Sequence, residues 1–160
     1  AAAESSGVLV ERCSAELYGP VERCAELLVR EVDRLQQRSN RPWVLIAGGE
    51  PDVIVRGNGR GGRNQHLALL LAEPLAKRPG VMALVAGTDG TDGPTDAAGA
   101  FVDAETVKRG NGLRMQAAQF LQQSDSYAYF SAIGDLLITG PTDTNVADLV
   151  VLSGNGRAQS

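Results

Sequence analysis

Hydrophobic positions divide the chain into segments of two kinds. From Val21 onward, the apolar residues Val21, Cys24, Ala25, Leu28, Val32 and Leu35 recur at steps of three and four, with Glu22, Glu26, Arg30, Asp33 and Arg34 on the opposite face. That period predicts an amphipathic helix, opened by Gly19-Pro20 and stopped by Ser39-Asn40-Arg41-Pro42. Trp43-Val44-Leu45-Ile46-Ala47 is instead a continuous apolar run, the pattern of a central strand covered on both faces. Residues 81–86, 136–139 and 149–152 read as further strands, and 8–10 and 53–55 as short ones. Residues 65–76, 113–123 and 126–132 are helical by composition, and Asp103 reads as the N-cap of a brief helix starting at Ala104. Strand, helix, strand in succession implies a right-handed parallel crossover. The expected fold is α/β: a single domain over residues 1–153 with a mixed, mostly parallel sheet flanked by helices, and a flexible tail at 154–160.

Composition narrows the class. The chain has 160 residues, 43% hydrophobic and 21% charged, which is ordinary globular usage and enough for a core built from Ala, Leu and Val. A formal net charge of -4 disfavours nucleic-acid binding, which draws on an excess of basic side chains. No apolar run reaches membrane-spanning length, and the first seven residues lack the charged and apolar parts of a signal peptide. Cys13 and Cys24 show neither metal-ligand spacing nor a disulfide framework, so buried reduced thiols in a cytoplasmic chain are expected. Ala1-Ala2-Ala3 without a methionine reads as a processed chain, a fragment or an internally numbered one.

Three polar loops carry the candidate chemistry. Arg56-Gly57-Asn58-Gly59-Arg60-Gly61-Gly62-Arg63-Asn64-Gln65 leads into a helix, so loop N–H groups, a helix N-terminus and three arginines would suit a phosphate or carboxylate. A solvated glycine turn with surface arginines explains the same residues. Gly87-Thr88-Asp89-Gly90-Thr91-Asp92-Gly93-Pro94-Thr95-Asp96 offers Asp89 and Asp92 to a magnesium ion, although turn chemistry alone accounts for it. Thr139-Gly140-Pro141-Thr142-Asp143-Thr144-Asn145 adds hydroxyls and an amide. The loops follow strands, so they should meet at the carboxyl edge of the sheet, with Asp89 and Asp92 in one cleft with Arg63. Glu50 is either a ligand-orienting carboxylate or a cap of its own turn, and His66 is expected to be a partly exposed helix-start residue. No serine lies in GxSxG, so a serine hydrolase is disfavoured.

These stretches, with Gly48-Gly49-Glu50, Asp125-Ser126-Tyr127 and Thr144-Asn145-Val146, resemble the MOFRL domain of the glycerate 2-kinase family, often labelled hydroxypyruvate reductase. The resemblance runs from about Gly7 to about Leu152 and implies ATP-dependent, magnesium-assisted phosphorylation of D-glycerate to 2-phosphoglycerate in a cleft between two α/β domains. It assigns Arg63 and Asp89 to catalysis, and Asp89 and Asp92 to the metal. Glu50, Asn58, Arg60, Gly61, Gly62, Asn64, Gln65, Thr88, Thr142 and Asn145 go to the substrate or phosphate. It also implies a larger N-terminal kinase domain with a catalytic lysine, without which this chain is expected to be inactive. His66, Pro51-Asp52, Ser124 and Asp143 depart from the family pattern.

The expected partner is a small hydroxy acid, glycerate or a relative, and a homodimer stays open. A stand-alone anion-binding module without catalysis is the competing class. An oxidoreductase is disfavoured because no dinucleotide fingerprint is present.

Overall fold

The computed structural model describes residues 7–156. Seven strands form one sheet: β1 (Leu9–Arg12), β2 (Leu17–Pro20), β3 (Trp43–Asp52), β4 (Met82–Gly87), β5 (Gly99–Asp103), β6 (Leu136–Leu137) and β7 (Asp148–Gly154). The helices among the described residues are α1 (Val21–Arg38), α2 (Arg63–Ala76), α3 (Thr106–Gly112), α4 (Ala117–Gln123) and α5 (Ser126–Ile133). The order across the sheet is β1-β3-β7-β4-β5-β6, with β2 continuing the β1 edge along the far half of β3.

The single α/β domain with a mixed sheet is as expected, but the balance of pairing differs. Only β1 and β2 pair in parallel, both with β3; β3–β7, β7–β4, β4–β5 and β5–β6 are antiparallel. The connection 88–98 between β4 and β5 holds no helix, and a loop that short cannot make a parallel crossover. α1 carries the chain from this parallel edge, β1 and β2, back to β3, the parallel pairing that the strand–helix–strand pattern implies, although β2 itself was not foreseen.

Among the described residues the helices occupy one face. α1 packs on β2 and β3, α2 on β4 and β5, and α3, α4 and α5 gather around α2. Beneath them lie Trp43, Leu45, Ala47, Ala83, Val85, Val102, Val150 and Leu152, all buried. The alternate residues Ile46, Met82, Phe101 and Leu149 are exposed, so β3 is covered on one face rather than the expected two.

Other expectations shift at their boundaries. β3 runs through Gly48 and Gly49 to Asp52, and 53–55 is not a strand. Gly49 has no side chain because Leu17 of β2 lies where a Cβ would stand. The helix expected over 113–123 begins at Ala117, and β6 stops at Leu137. Asp103 closes β5 and accepts the Glu105 N–H from outside α3, whose capping residue is Glu105. Gly154, placed in the flexible tail, is the last residue of β7. The rest of that tail beyond 156, and the first six residues, lie outside the described part.

Candidate functional site

β3 and β4 run in the same direction with β7 reversed between them, so the ends of two strands and the start of a third meet at one edge. There the structure opens a cleft of about 370 Å³, lined by Glu50, Gly61, Gly62, Arg63, Asn64, Thr88, Asp89, Asp92, Asn145 and Asp148 among others. Arg63, Asp89 and Asp92 thus share one cleft.

Arg63 opens α2 and is held from two strands. Its Nε donates to Asp148 Oδ2 at 2.6 Å and its Nη2 to Asp148 Oδ1 at 3.2 Å and to Glu50 Oε1 at 3.0 Å. Asp148 begins β7, paired in register with Gly49 of β3 and Gly87 of β4, and is 5% exposed. Hydrogen bonding to Asp148, above all, raises the Arg63 pKa, so the cation is permanent. Two fixed bonds from one carboxylate orient the guanidinium plane. The remaining nitrogen, Nη1, makes no bond among the described residues.

Asp92 faces the same helix start in a different role. Gly62 at the cap position has no side chain, and Asp92 supplies the missing acceptor from across the cleft wall. Its Oδ1 accepts the N–H of Asn64 at 3.0 Å and the Asn64 amide at 3.2 Å, and its Oδ2 accepts the N–H of Gln65 at 2.8 Å. Burial pushes its pKa up to about 6, against hydrogen bonds that pull it down. A carboxylate committed to three donors is a helix cap, not the open metal ligand expected. Gln65, also buried, spends its amide on Thr95 Oγ1 at 2.9 Å and so ties α2 to the same turn rather than facing the cleft.

The glycine–arginine loop is largely occupied by the protein itself. The N–H groups of Arg56, Gly59 and Arg60 donate to Ser124 Oγ at 2.7 Å, the Gln123 carbonyl at 3.0 Å and Asp125 Oδ1 at 2.9 Å. The Arg60 guanidinium lies 4.8 Å from the centre of the Tyr127 ring and donates to the Pro94 carbonyl at 3.3 Å. Glycine is required at 59 because Asp125 occupies the place of a Cβ. Asn58 and Arg60 therefore stand outside the cleft, and the open anion cradle expected over this stretch is reduced to Gly61, Gly62 and Arg63.

On the opposite wall, Asp89 Oδ1 accepts the Thr91 N–H at 2.9 Å, which leaves its second oxygen without a bond among the described residues. Thr88 Oγ1 donates to the Ala147 carbonyl at 2.7 Å and accepts the Val146 N–H at 2.9 Å. Thr142 bonds the Thr88 carbonyl through its hydroxyl and is exposed away from the cleft lining. The third loop is thus a brace for the second, with only Asn145 reaching the cleft. No cluster of three or more His, Cys, Asp or Glu side chains that could enclose a metal exists among the described residues.

The structure adds one residue to the site and moves another inward. Asp148 was not singled out, because it belongs to no motif and its partner Arg63 is 85 positions away. His66 is buried rather than partly exposed, and burial lowers its pKa.

Comparison with known proteins gives this arrangement a family. The MOFRL family profile matches residues 43–148. The D-glycerate 2-kinase of Thermotoga maritima is 49% identical over 124 residues, covering 78% of this chain and 30% of that protein. Human glycerate kinase is 40% identical over 159 residues, covering 92% of this chain and 30% of its own length. The crystal structure of glycerate kinase from Thermotoga maritima superposes with a TM-score of 0.89 at 41% identity, over 95% of this chain and 37% of that one. A Pyrococcus horikoshii protein of solved structure gives 0.85 at 31% identity, over 98% of this chain and 36% of that one. The chain spans about a third of the length of these relatives. With two thirds of its residues inside the profile and its whole architecture shared with a solved glycerate kinase, the chain belongs to the MOFRL family.

Proposed function

We propose that this chain is the substrate-side domain of an ATP-dependent glycerate 2-kinase, converting D-glycerate to 2-phosphoglycerate together with the larger kinase domain that the resemblance implies. The observation that carries the reading is Arg63, fixed by Asp148 and Glu50 in a cleft that also holds Asp89. Phosphoryl transfer is mainly positioning and charge stabilisation, and a permanent cation in a fixed plane answers both needs. Arg63 binds the carboxylate of glycerate or the transferred phosphoryl group through Nη1. Asn64, Thr88 and Asn145 supply polar atoms around the substrate hydroxyls.

Magnesium fits this donor set at Asp89, whose unbonded oxygen suits an ion that keeps several waters and shares a phosphate. Bound there, the ion would neutralise phosphate charge. Asp92 does not fit, because its oxygens already cap α2. The ATP phosphates, and the lysine that the family resemblance implies, belong to the opposing wall of the cleft. Cys13 and Cys24, both buried and unpaired, support a reducing, cytoplasmic setting.

The test is a coupled ADP-release assay with ATP, magnesium and D-glycerate. The 160-residue chain alone should show no turnover, while a protein that joins it to the larger domain should be active. Arg63→Ala in the joined protein should lower kcat/KM at least about 100-fold. Robust turnover by the chain alone overturns the division of labour, and a variant within threefold of the parent overturns the role of Arg63.

A further inference from the structure

The sheet face without helices is apolar, and its side chains line up in rows. The register places Arg12 beside Ile46, Ile46 beside Val151, Val151 beside Leu84 and Leu84 beside Phe101. The row ends at Asp135, whose carbonyl accepts the Phe101 N–H at 2.8 Å. One row across the sheet thus reads positive, four apolar residues, negative. Asp135 and Asp103 flank Arg109, whose bonds to both leave that end with a net charge of -1. A groove of about 160 Å³ lies beside it, lined by Met82, Leu84 and Phe101.

We infer that this face is a docking surface for a second copy of the same chain, packed sheet to sheet about a two-fold axis parallel to the strands. Such an axis reverses the row in the partner. Val151 then faces Leu84, Ile46 faces Phe101, and Arg12 faces Asp135, each contact made twice. An axis across the strands would set Arg12 against Arg12, so the charges choose the first arrangement. Aligned packing of two sheets tolerates this geometry, with strands within about 30° of one another.

The size of the face agrees with a reversible dimer. Five strands about 4.8 Å apart, each contributing about 20 Å of length, present roughly 500 Å² per copy. Two copies bury about 1,000 Å², the lower limit of a specific interface and the end of the range where weak, reversible complexes lie. The apolar run of β3, too continuous for a half-solvated strand, has the pattern of a strand buried on both sides, and the partner supplies the second cover.

Sedimentation equilibrium of the 160-residue chain should give a dimer, twice 16.8 kDa, that dissociates at micromolar concentration. Phe101→Asp, at a side chain 46% exposed, should yield a monomer with an unchanged circular dichroism spectrum. Arg12→Asp should weaken association at least about tenfold. The double variant Ile46→Cys/Phe101→Cys should form a disulfide-linked dimer under mild oxidation, while either single variant does not. The two positions are three strands apart within one copy, beyond the reach of an internal disulfide. A chain that stays monomeric at 500 µM, or a dimer indifferent to Phe101→Asp, overturns the inference. So does a monomeric full-length relative whose own further segment protects this face from hydrogen exchange.

Discussion

Asp92→Asn keeps the size of a buried side chain and removes its titration, so its consequence is set by pH. The Asp92 carboxyl is 3% exposed, and burial lifts its pKa from 3.8 to about 6 although bonds from Asn64 and Gln65 oppose the shift. The folded protein then holds this proton more tightly than the unfolded chain. The stabilisation from that proton is complete below pH 4 and is lost as pH rises through 6. Two pKa units correspond to about 3 kcal/mol. The stability of the parent minus that of the variant should therefore fall by about 3 kcal/mol between pH 4 and pH 7. Asp33, held low by its bond to Arg78, and Asp103, held low despite burial by its bond to Arg109, act in the opposite sense. Both are present in the two proteins and cancel in the difference. Urea unfolding at pH 4, 5, 6 and 7 measures it, with Trp43, the only tryptophan and 1% exposed, as the fluorescent reporter. A difference that grows with pH refutes the reasoning. It would mean that the three N–H donors outweigh burial and that Asp92 caps α2 as a carboxylate throughout.

Two further substitutions probe the cleft walls. Asp148→Asn removes the carboxylate that orients Arg63, and should cost about 1–3 kcal/mol in urea unfolding while lowering kcat/KM in the joined kinase nearly as far as Arg63→Ala. Gly59→Ala places a methyl group against Asp125 and should cost about 1–3 kcal/mol, read as a lower Tm, with greater protease sensitivity confined to the 56–62 loop.

Much of the frame was legible because it rests on periodicity. The 3.6-residue repeat of α1 and the apolar runs of β4 and β7 are read directly from side-chain type. β5 was not, since Gly99-Ala100 has low intrinsic strand preference and pairs because β4 leaves an edge for it. β2 escaped for a similar reason: Leu17-Tyr18-Gly19-Pro20 looks like a helix lead-in, and only Gly49 across the sheet makes room for it. At the site, the loops that meet could be foreseen from their places after strands. What each residue does within them could not. Asp89 and Asp92 share one loop and one residue type, yet one has an unbonded oxygen and the other serves a helix 27 positions away. Glycines that look like a phosphate cradle are small because the 123–126 segment packs on them.

The place of β7 has a consequence for biosynthesis. It is the last of the described strands to be made, yet it lies between β3 and β4 at the centre of the sheet. Until its residues leave the ribosome, the chain holds two half-sheets, β1-β2-β3 and β4-β5-β6, each with an inner edge of unpaired N–H and carbonyl groups. At about 5–20 residues per second, more than 60 residues separate the synthesis of β4 from that of β7, an exposure of several seconds. Open edges of that kind recruit strands from other nascent chains. Arrival of Asp148 ends the exposure and delivers the carboxylate for Arg63 in the same event. Released chains that end before Asp148 should therefore need a chaperone to stay soluble, and those a dozen residues longer should not.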